Sequence, residues 1–243
     1  MAPHQSKICM GCWEHLHLPV PLRGVASVPF RAFGIRPSRM NPNTCTICET
    51  MFERIMKRRH VIVDATLLFA DLRGYTSLSQ SHSAEAVSTL LDTFYDECAS
   101  AIWEHDGILN KTMGDGLMAV FNFPISHDDH ATRALRAARQ IQARWLEIRQ
   151  TLPETSSEDI GVGIGMDTGQ VNFGEFGHSH TDITAIGTVV NTAARAQAAA
   201  TSGQILLTEA VHARAQSDLA GSQALAGRGH RRFAAAAPII DFD

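Results

Sequence analysis

The chain has 243 residues, of which 44% are apolar and 19% carry a formal charge. This balance is typical of a globular protein with a buried core, and the length suits one domain of about 150 to 200 residues beside a smaller module. No apolar run approaches the roughly 18 residues that a membrane helix needs, and the first residues contain no apolar signal region. We therefore expect a soluble, cytoplasmic protein without a membrane span.

The net charge of −4 is unevenly distributed along the chain. Residues 1–60 carry nine Lys or Arg against three Asp or Glu, whereas the remainder carries twelve against twenty-two. A basic segment can contact nucleic acid or an anionic surface. A solvated basic helix is the simpler interpretation, because much of this charge is the single run 57–59, and we expect no nucleic-acid partner.

Residues 1–48 contain four of the five cysteines and are predicted to form a small metal-binding module. The cysteines form two Cys-x-x-Cys pairs, Cys9 with Cys12 and Cys45 with Cys48, which are separated by thirty-two residues. Paired knuckles of this kind typically bind a structural zinc ion through four thiolates. Disulfides, which a reducing cytosol disfavours, and an iron–sulfur cluster are the alternatives.

Residues 49–60 are predicted to form a helix that connects this module to a domain spanning 61–243. Met51, Phe52 and Ile55 recur there at helical spacing. The domain begins with a buried strand that runs into Asp71. The next predicted helix is capped by Ser83, and its apolar face consists of Val87, Leu90, Leu91, Phe94, Cys98 and Ile102.

Two elements are predicted between residues 108 and 150. Residues 108–121 indicate a hairpin that turns at the glycines on either side of Asp115. A helix follows over 129–150. We expect Asp128 or Asp129 to cap its first turn, in preference to a metal site formed with the neighbouring histidines.

The remaining pattern continues to alternate strands with helices. A glycine-rich strand pair is predicted over 160–176, an alanine-rich helix over 188–200, and a late strand over 203–207. The last thirty residues have small side chains and a weak strand pattern, so we expect them to pack loosely. Strands that alternate with helices and also pair as hairpins indicate an α+β fold with helices on one face of a sheet.

Two aspartates beside glycines suggest a divalent-metal site. Asp71 ends a predicted strand, and Asp115 lies in the hairpin turn forty-four residues later. Magnesium is commonly held by one or two carboxylates together with substrate phosphates. The pair therefore indicates chemistry at a nucleoside triphosphate.

Three segments together resemble the catalytic domain of the class III adenylate/guanylate cyclases. They are the sequence around Asp71 (Leu-Phe-Ala-Asp-Leu-Arg-Gly-Tyr-Thr), the sequence 111–121 around Asp115, and the sequence 182–195. The resemblance extends from about Leu67 to about Val211. It implies a ferredoxin-like cyclase fold and the conversion of a nucleoside triphosphate to a cyclic nucleotide and pyrophosphate.

The resemblance also implies roles for individual residues. Asp71 and Asp115 correspond to the aspartates that bind two magnesium or manganese ions per active site. Asn191 corresponds to the residue that holds the ribose, and Arg195 to the residue that stabilises charge on the α-phosphate. Because the two residues are four apart on a predicted helix, they lie on one face.

Lys111 and Thr184 correspond to the positions that select the base. A lysine donates to an acceptor nitrogen of the adenine ring, and a threonine hydroxyl can accept from the adjacent amino group. This pattern favours ATP over GTP, while a cytosine ring offers a similar pair of groups. Other nucleotides therefore remain the alternative substrates.

Relatives in this family place each active site between two subunits, with the metal aspartates from one and the remaining groups from the other. Since this chain has all six residues, the resemblance implies a head-to-tail homodimer with two complete sites. The alternative from another class of function is a silent nucleotide-binding domain that signals by dimerising.

Overall fold

The computed structural model describes residues 6–58, 60–151, 160–176, 182–215, 223–225 and 233–236. Within these ranges an eight-stranded sheet carries helices on its faces, and a small cysteine-containing module precedes it. None of the helices in these ranges is both long and apolar enough to cross a membrane.

The N-terminal part contains three helices. They are α1 (Met10–Leu16), α2 (Val28–Ala32) and α3 (Thr46–Arg58), with a 3-10 turn at Val25–Ser27. The helix predicted over 49–60 thus begins three residues earlier, because the Glu49 amide already donates to the Cys45 carbonyl at 3.0 Å. Cys45 therefore directly precedes α3, and Cys48 lies in its first turn. The predicted residue Arg59 lies outside the described ranges.

The remaining elements follow in chain order. The strands are β1 (Val61–Arg73), β2 (Ile108–Met113), β3 (Gly116–Phe121), β4 (Gly161–Phe176), β5 (Asp182–Ile186), β6 (Ile205–Thr208), β7 (Gln223–Leu225) and β8 (Phe233–Ala236). The helices are α4 (Tyr75–Ser81), α5 (Ala84–Glu104), α6 (His130–Arg149), α7 (Thr188–Ala199) and α8 (Glu209–Arg214). Most of the last thirty residues, predicted to pack loosely, lie outside the described ranges.

The strand order is β2-β3-β1-β4-β6-β8-β7, and β5 also pairs with β4. β1 is central, with β3 antiparallel on one side and β4 antiparallel on the other. The predicted hairpin is confirmed by β2 and β3, which join through a turn at Gly114 and Asp115.

The prediction of a strand pair over 160–176 is wrong. These residues form one strand, β4, which pairs with β1 from Gly161 opposite Arg73 to Phe173 opposite Val61. The many glycines suggested a turn, but within β4 they lie where other parts of the chain come close to the strand.

Helices cover both faces of the sheet, and not one face as predicted. On one face, Leu68 and Leu72 of β1 pack against apolar side chains of α5 and α6. On the other, Leu67 and Phe69 pack against α7 and against Phe52 of α3. β1 can lie between both layers because residues 65–70 are apolar or small and all buried.

The predicted cap and apolar face of α5 are confirmed. The Ser83 side chain accepts a hydrogen bond from the Ala86 amide, and Val87, Leu90, Phe94, Cys98 and Ile102 are buried. Leu91 is only partly buried and packs against the same core.

The cysteine module is hydrogen-bonded to the C-terminal end of α5 and to the loop between α5 and β2. The Asn41 side chain donates to the Gly107 carbonyl at 2.9 Å, and the Trp103 indole donates to the Met40 carbonyl at 2.7 Å. Asn41 and the Met40 carbonyl thus connect the module directly to the segment from which the β2–β3 hairpin begins.

Candidate active site and metal-binding module

The two candidate metal aspartates lie at one end of the sheet. Asp71 stands near the end of β1 opposite Gly116 of β3, and Asp115 precedes that glycine in the turn. The Leu72 amide donates to the Asp115 carbonyl at 3.0 Å, which fixes the turn against β1. The fold therefore brings together two carboxylates that are forty-four residues apart in sequence.

The glycines beside Asp115 have separate structural roles. Gly114 adopts φ +64°, a left-handed conformation that favours glycine. At Gly116, an added Cβ would stand 2.8 Å from Oδ1 of Asp71, so the missing side chain makes room for that carboxylate. Tyr95 of α5 donates its hydroxyl to the Gly114 carbonyl and supports the turn.

Burial raises the pKa of Asp71, and the nearby Asp115 carboxylate raises it further. The guanidinium of Arg73 opposes this shift, because its Nη1 lies 3.0 Å from Oδ2 of Asp71. A buried carboxylate whose charge is further destabilised by a neighbouring carboxylate forms a site suited to a divalent cation with oxygen ligands.

Arg73 is a residue whose position the sequence alone does not reveal. Besides Asp71, it donates through Nη2 to the carbonyl of Gln197, near the C-terminal end of α7. Its guanidinium lies over Gly163, where an added Cβ would be 2.5 Å from Nε. The Asp-x-Arg sequence is visible, but the acceptor that pairs with Arg73 is 124 residues away.

The alanine-rich helix α7 places Asn191 and Arg195 in solvent. Both are exposed, while Val189, Thr192, Ala193 and Ala196 face the sheet. The side chain of Gln197 is partly buried and lies near enough to Asp71 to lower the pKa of that carboxyl. Residues two apart on a helix are related by a rotation of roughly 200° about its axis, so their side chains lie on nearly opposite sides. Arg195 therefore points away from the Asp71 carboxylate of its own chain.

Lys111 and Thr184 lie on different strands. Lys111 is on the edge strand β2 opposite Met118, next to a register shift between Leu109 and Lys111. Thr184 is on β5 opposite Gly174. Three strands separate β2 from β5 in the sheet. Both side chains are partly exposed.

The four cysteines of the module form one cluster. Their sulfurs lie within 4.8 Å of one another, with separations of 3.5 Å for Cys12–Cys45 and 3.6 Å for Cys9–Cys48. Sulfurs arranged tetrahedrally at the usual zinc–sulfur distance would be about 3.8 Å apart. All four are free cysteines, so no disulfide links them.

Each cysteine pair lies at the start of a helix, with the first cysteine just before the helix and the second in its first turn. Cys9 caps α1 and accepts from the Cys12 amide, while Cys45 precedes α3. An added Cβ on Gly11 would lie 2.9 Å from the sulfur of Cys48, so this glycine admits the fourth thiol. Burial raises the pKa of Cys12 to about 12. A nearby cation would favour the thiolate form of Cys12.

The histidines near the start of α6 have separate structural contacts. His127 lies 3.8 Å from the Asp106 carboxylate, whereas His130 is buried against Thr66. The expected aspartate cap is only partly right. Asp129 occupies the cap position, but its carboxylate pairs with Arg133 at 2.7 Å and caps no backbone amide.

Residues 58–231 match the family described as the adenylate and guanylate cyclase catalytic domain. The match covers more than half of the chain, which therefore belongs to this family. The resemblance inferred from the three sequence segments is confirmed.

Among curated relatives, an uncharacterised protein of Mycobacterium tuberculosis (strain ATCC 25618 / H37Rv) is 37% identical over 142 residues, covering 57% of this chain and 23% of that protein. An adenylate cyclase of Anabaena cylindrica is 34% identical over 153 residues, covering 60% and 30%. The chain thus spans about a quarter of the length of the curated relatives that it matches.

Two solved structures show the same fold. The guanylyl cyclase Cya2 has a TM-score of 0.65 and 27% identity, covering 73% of this chain and 92% of that one. The adenylyl cyclase CyaB from P. aeruginosa has a TM-score of 0.68 and 24% identity, covering 76% and 97%. The predicted cyclase fold is confirmed, and both nucleotide specificities occur among its structural neighbours.

Proposed function

We propose that the domain formed by residues 61–243 converts ATP to cyclic AMP and pyrophosphate, as a head-to-tail homodimer with two shared active sites. The observation that carries this proposal is the arrangement of α7. It places Gln197 beside Arg73 and the Asp71 carboxylate of its own chain and exposes Arg195 on another side. An active site that needs both Asp71 and Arg195 is then completed by a second subunit.

Asp71 and Asp115 are the proposed ligands of magnesium or manganese, two ions per active site. Burial and mutual repulsion raise the pKa of Asp71, and divalent cations would relieve that repulsion. When bound, the ions would neutralise the triphosphate and lower the pKa of the ribose 3′-hydroxyl. The chain contributes a fixed pair of carboxylates, held by the β1–β3 pairing and the space above Gly116.

Asn191 and Arg195 are proposed to act on the substrate bound to the partner's aspartates. Asn191 holds the ribose so that its 3′-oxygen faces the α-phosphorus, and Arg195 stabilises the charge that develops on the α-phosphate. A guanidinium presents a planar fork of donors suited to phosphate oxygens. Their one-turn spacing on a single exposed face of α7 supports this shared role.

ATP is the proposed substrate. Lys111 would donate to an acceptor nitrogen of adenine, and the Thr184 hydroxyl would accept from the adjacent amino group. The relative from Anabaena cylindrica is named an adenylate cyclase, which supports the same choice.

The N-terminal cysteines are proposed to bind a structural zinc ion. Four thiols at nearly tetrahedral separations fit that ion, while the raised pKa of Cys12 opposes its ionisation without a cation. The hydrogen bond from Asn41 to Gly107 gives this module a direct connection to the start of β2. We propose that the module supports the catalytic domain through this contact, in addition to the covalent link through α3.

The direct test of the reaction is product analysis. Purified protein is incubated with manganese and each of the four ribonucleoside triphosphates separately, and cyclic products are identified by mass. Cyclic AMP is the expected main product, with Arg195→Ala as the inactive control. A larger yield from GTP, CTP or UTP would overturn the ATP assignment, and ATP binding without any cyclic product would indicate the silent signalling domain.

A further inference from the structure

Arg73 occupies a slot between the metal aspartate and helix α7. Its guanidinium contacts the Asp71 carboxylate through Nη1 and the Gln197 carbonyl through Nη2. The floor of the slot is Gly163, and an added Cβ there would be 2.5 Å from Nε and 2.8 Å from Nη2. The sequence of β4 thus leaves space for this one side chain.

The slot lies at the C-terminal end of α7, where a positively charged side chain is stabilising. Carbonyl groups in the last turn of a helix lack helical partners and carry partial negative charge. α7 ends at Ala199, so the Gln197 carbonyl belongs to that turn, where it accepts a hydrogen bond from the Ala200 amide at 3.0 Å. Arg73 therefore adds a charged donor to a carbonyl at the end of α7 while it also compensates the charge of Asp71.

The contact between Arg73 and α7 adds to the close packing of this helix against β4. Gly165 lies beneath it, with its missing Cβ 1.9 Å from the Gln197 amide nitrogen. The helix can therefore not settle closer to the sheet if Arg73 is lost. Any shift of the helix must be along or away from the sheet, and either movement would displace the exposed Asn191 and Arg195.

We propose that Arg73 is a positioning residue that connects the metal aspartate of one active site to the helix that serves the other site of the dimer. This inference rests on the proposed shared-site function. In each subunit, Asp71 belongs to one active site, whereas α7 of the same subunit contributes Asn191 and Arg195 to the second. Arg73 contacts both, so it physically joins the two sites.

The test uses heterodimers with a single working site. One subunit carries Arg195→Ala and supplies the aspartates; the other carries Asp115→Asn and supplies α7, with its Asp71–Arg73 pair intact. Arg73→Met is then placed in either subunit. Methionine keeps a long apolar side chain but removes every donor.

The two placements should give different defects. In the aspartate-supplying subunit, Arg73→Met should shift the manganese concentration needed for half-maximal activity, because the Asp71 carboxylate loses the donor 3.0 Å away. In the α7-supplying subunit, it should lower kcat roughly tenfold at saturating manganese, because reacting groups are misplaced. A loss that is equal in both placements would indicate general destabilisation and overturn the proposal, as would a loss confined to the aspartate-supplying subunit.

A second readout does not depend on activity. In the metal-free full chain, Arg73→Met should speed amide hydrogen exchange in the last turn of α7. Arg214→Met is the matched control, because Arg214 also pairs with an aspartate of β1, Asp64, at 2.8 Å but does so from α8. Unchanged exchange in α7 would contradict the proposed contact.

The starting heterodimer separates this inference from the shared-site function. If Asp115→Asn with Arg195→Ala forms dimers without activity, the shared site itself is wrong. If it is active but insensitive to Arg73→Met in the α7-supplying subunit, only the connection between the sites is wrong.

Discussion

Gly165 lies directly beneath the backbone of Gln197, so that a Cβ added to the glycine would stand 1.9 Å from the Gln197 amide nitrogen. No rotamer change can relieve such a contact, because the backbone fixes the position of the Cβ and the atom that it meets is main chain. The position of α7, and with it the proposed reach of Asn191 and Arg195, therefore depends on a missing side chain in β4.

Gly165→Ala should displace α7 and abolish most cyclase activity. Overpacking of this kind costs about 1–3 kcal/mol of folding free energy, and a rigid backbone contact lies at the upper end. Gly203→Ala is the matched control, because its Cβ would meet nothing within 4 Å while its φ of +75° still adds strain. Activity and urea unfolding are measured for both. Equal activity loss in the two variants would contradict the packing explanation.

The aspartate pair predicts a loss of activity without a loss of fold. Asp71→Asn and Asp115→Asn each keep the side-chain size but remove a negative charge, so cyclic nucleotide formation should fall by at least about a hundredfold. Asp64→Asn, an exposed aspartate on the same strand, should retain activity. Circular dichroism checks the fold. Substantial turnover by either site variant at saturating manganese would disprove the metal assignment.

The environment of His130 predicts that stability falls in mild acid. Its Nε2 lies 3.2 Å from Arg214, which can only donate, so the imidazole is neutral and Nδ1 donates to Thr66 at 2.8 Å. Burial lowers its pKa, and Arg214 adds to this, while Asp64, Asp128 and Asp129 oppose it. The folded state therefore resists a proton that the unfolded chain accepts below about pH 6.5.

The free energy of unfolding should accordingly fall as the pH drops below about 6.5, by at most about 1.4 kcal/mol per pH unit for this one group. Urea titrations between pH 7.5 and 5.5 measure the slope. His130→Gln should reduce it, and His105→Gln should reduce it separately, since burial also lowers the pKa of His105. A slope that is the same with and without His130 would refute this prediction.

The cysteine cluster predicts about one zinc ion per chain by elemental analysis. Cys45→Ser should remove most of the metal, unfold the module locally and change cyclase activity, because metal binding and folding are coupled in such small modules. Cys98→Ser is the control, since Cys98 is buried in α5, away from the cluster. Stoichiometric iron with visible absorbance would replace zinc with an iron–sulfur cluster. Unchanged activity in Cys45→Ser would leave the module a purely structural role.

The sequence predicts the local structure and the family well, because both are encoded in short continuous segments. Hydrophobic periodicity indicates each helix or strand, and the motifs around Asp71 and Asp115 indicate the family. The sequence fails to predict contacts between residues that are far apart along the chain. The glycines of β4 suggested a turn, and only tertiary packing explains them: α7 lies over Gly165, and Arg73 over Gly163. The alternation of Gly161, Gly163 and Gly165 is a signal that could have indicated one strand face under close contact.

Other contacts leave no mark in the sequence. Arg73 stands two residues after Asp71, yet its acceptor on α7 depends on how β1 and β4 pair. Likewise, nothing near Asn41 indicates that its amide binds the Gly107 carbonyl, because loop asparagines serve many local turns. Such contacts are set by tertiary packing and not by local propensity.

The shared active site is the central claim, and mixing two inactive variants tests it most directly. Asp71→Ala and Arg195→Ala are combined under conditions that exchange subunits, and cyclic AMP formation is measured. A heterodimer restores one intact site of two, so random pairing should recover about a quarter of wild-type activity. Demonstrated heterodimers that remain inactive, or either variant that is active alone, would contradict a site built from two subunits.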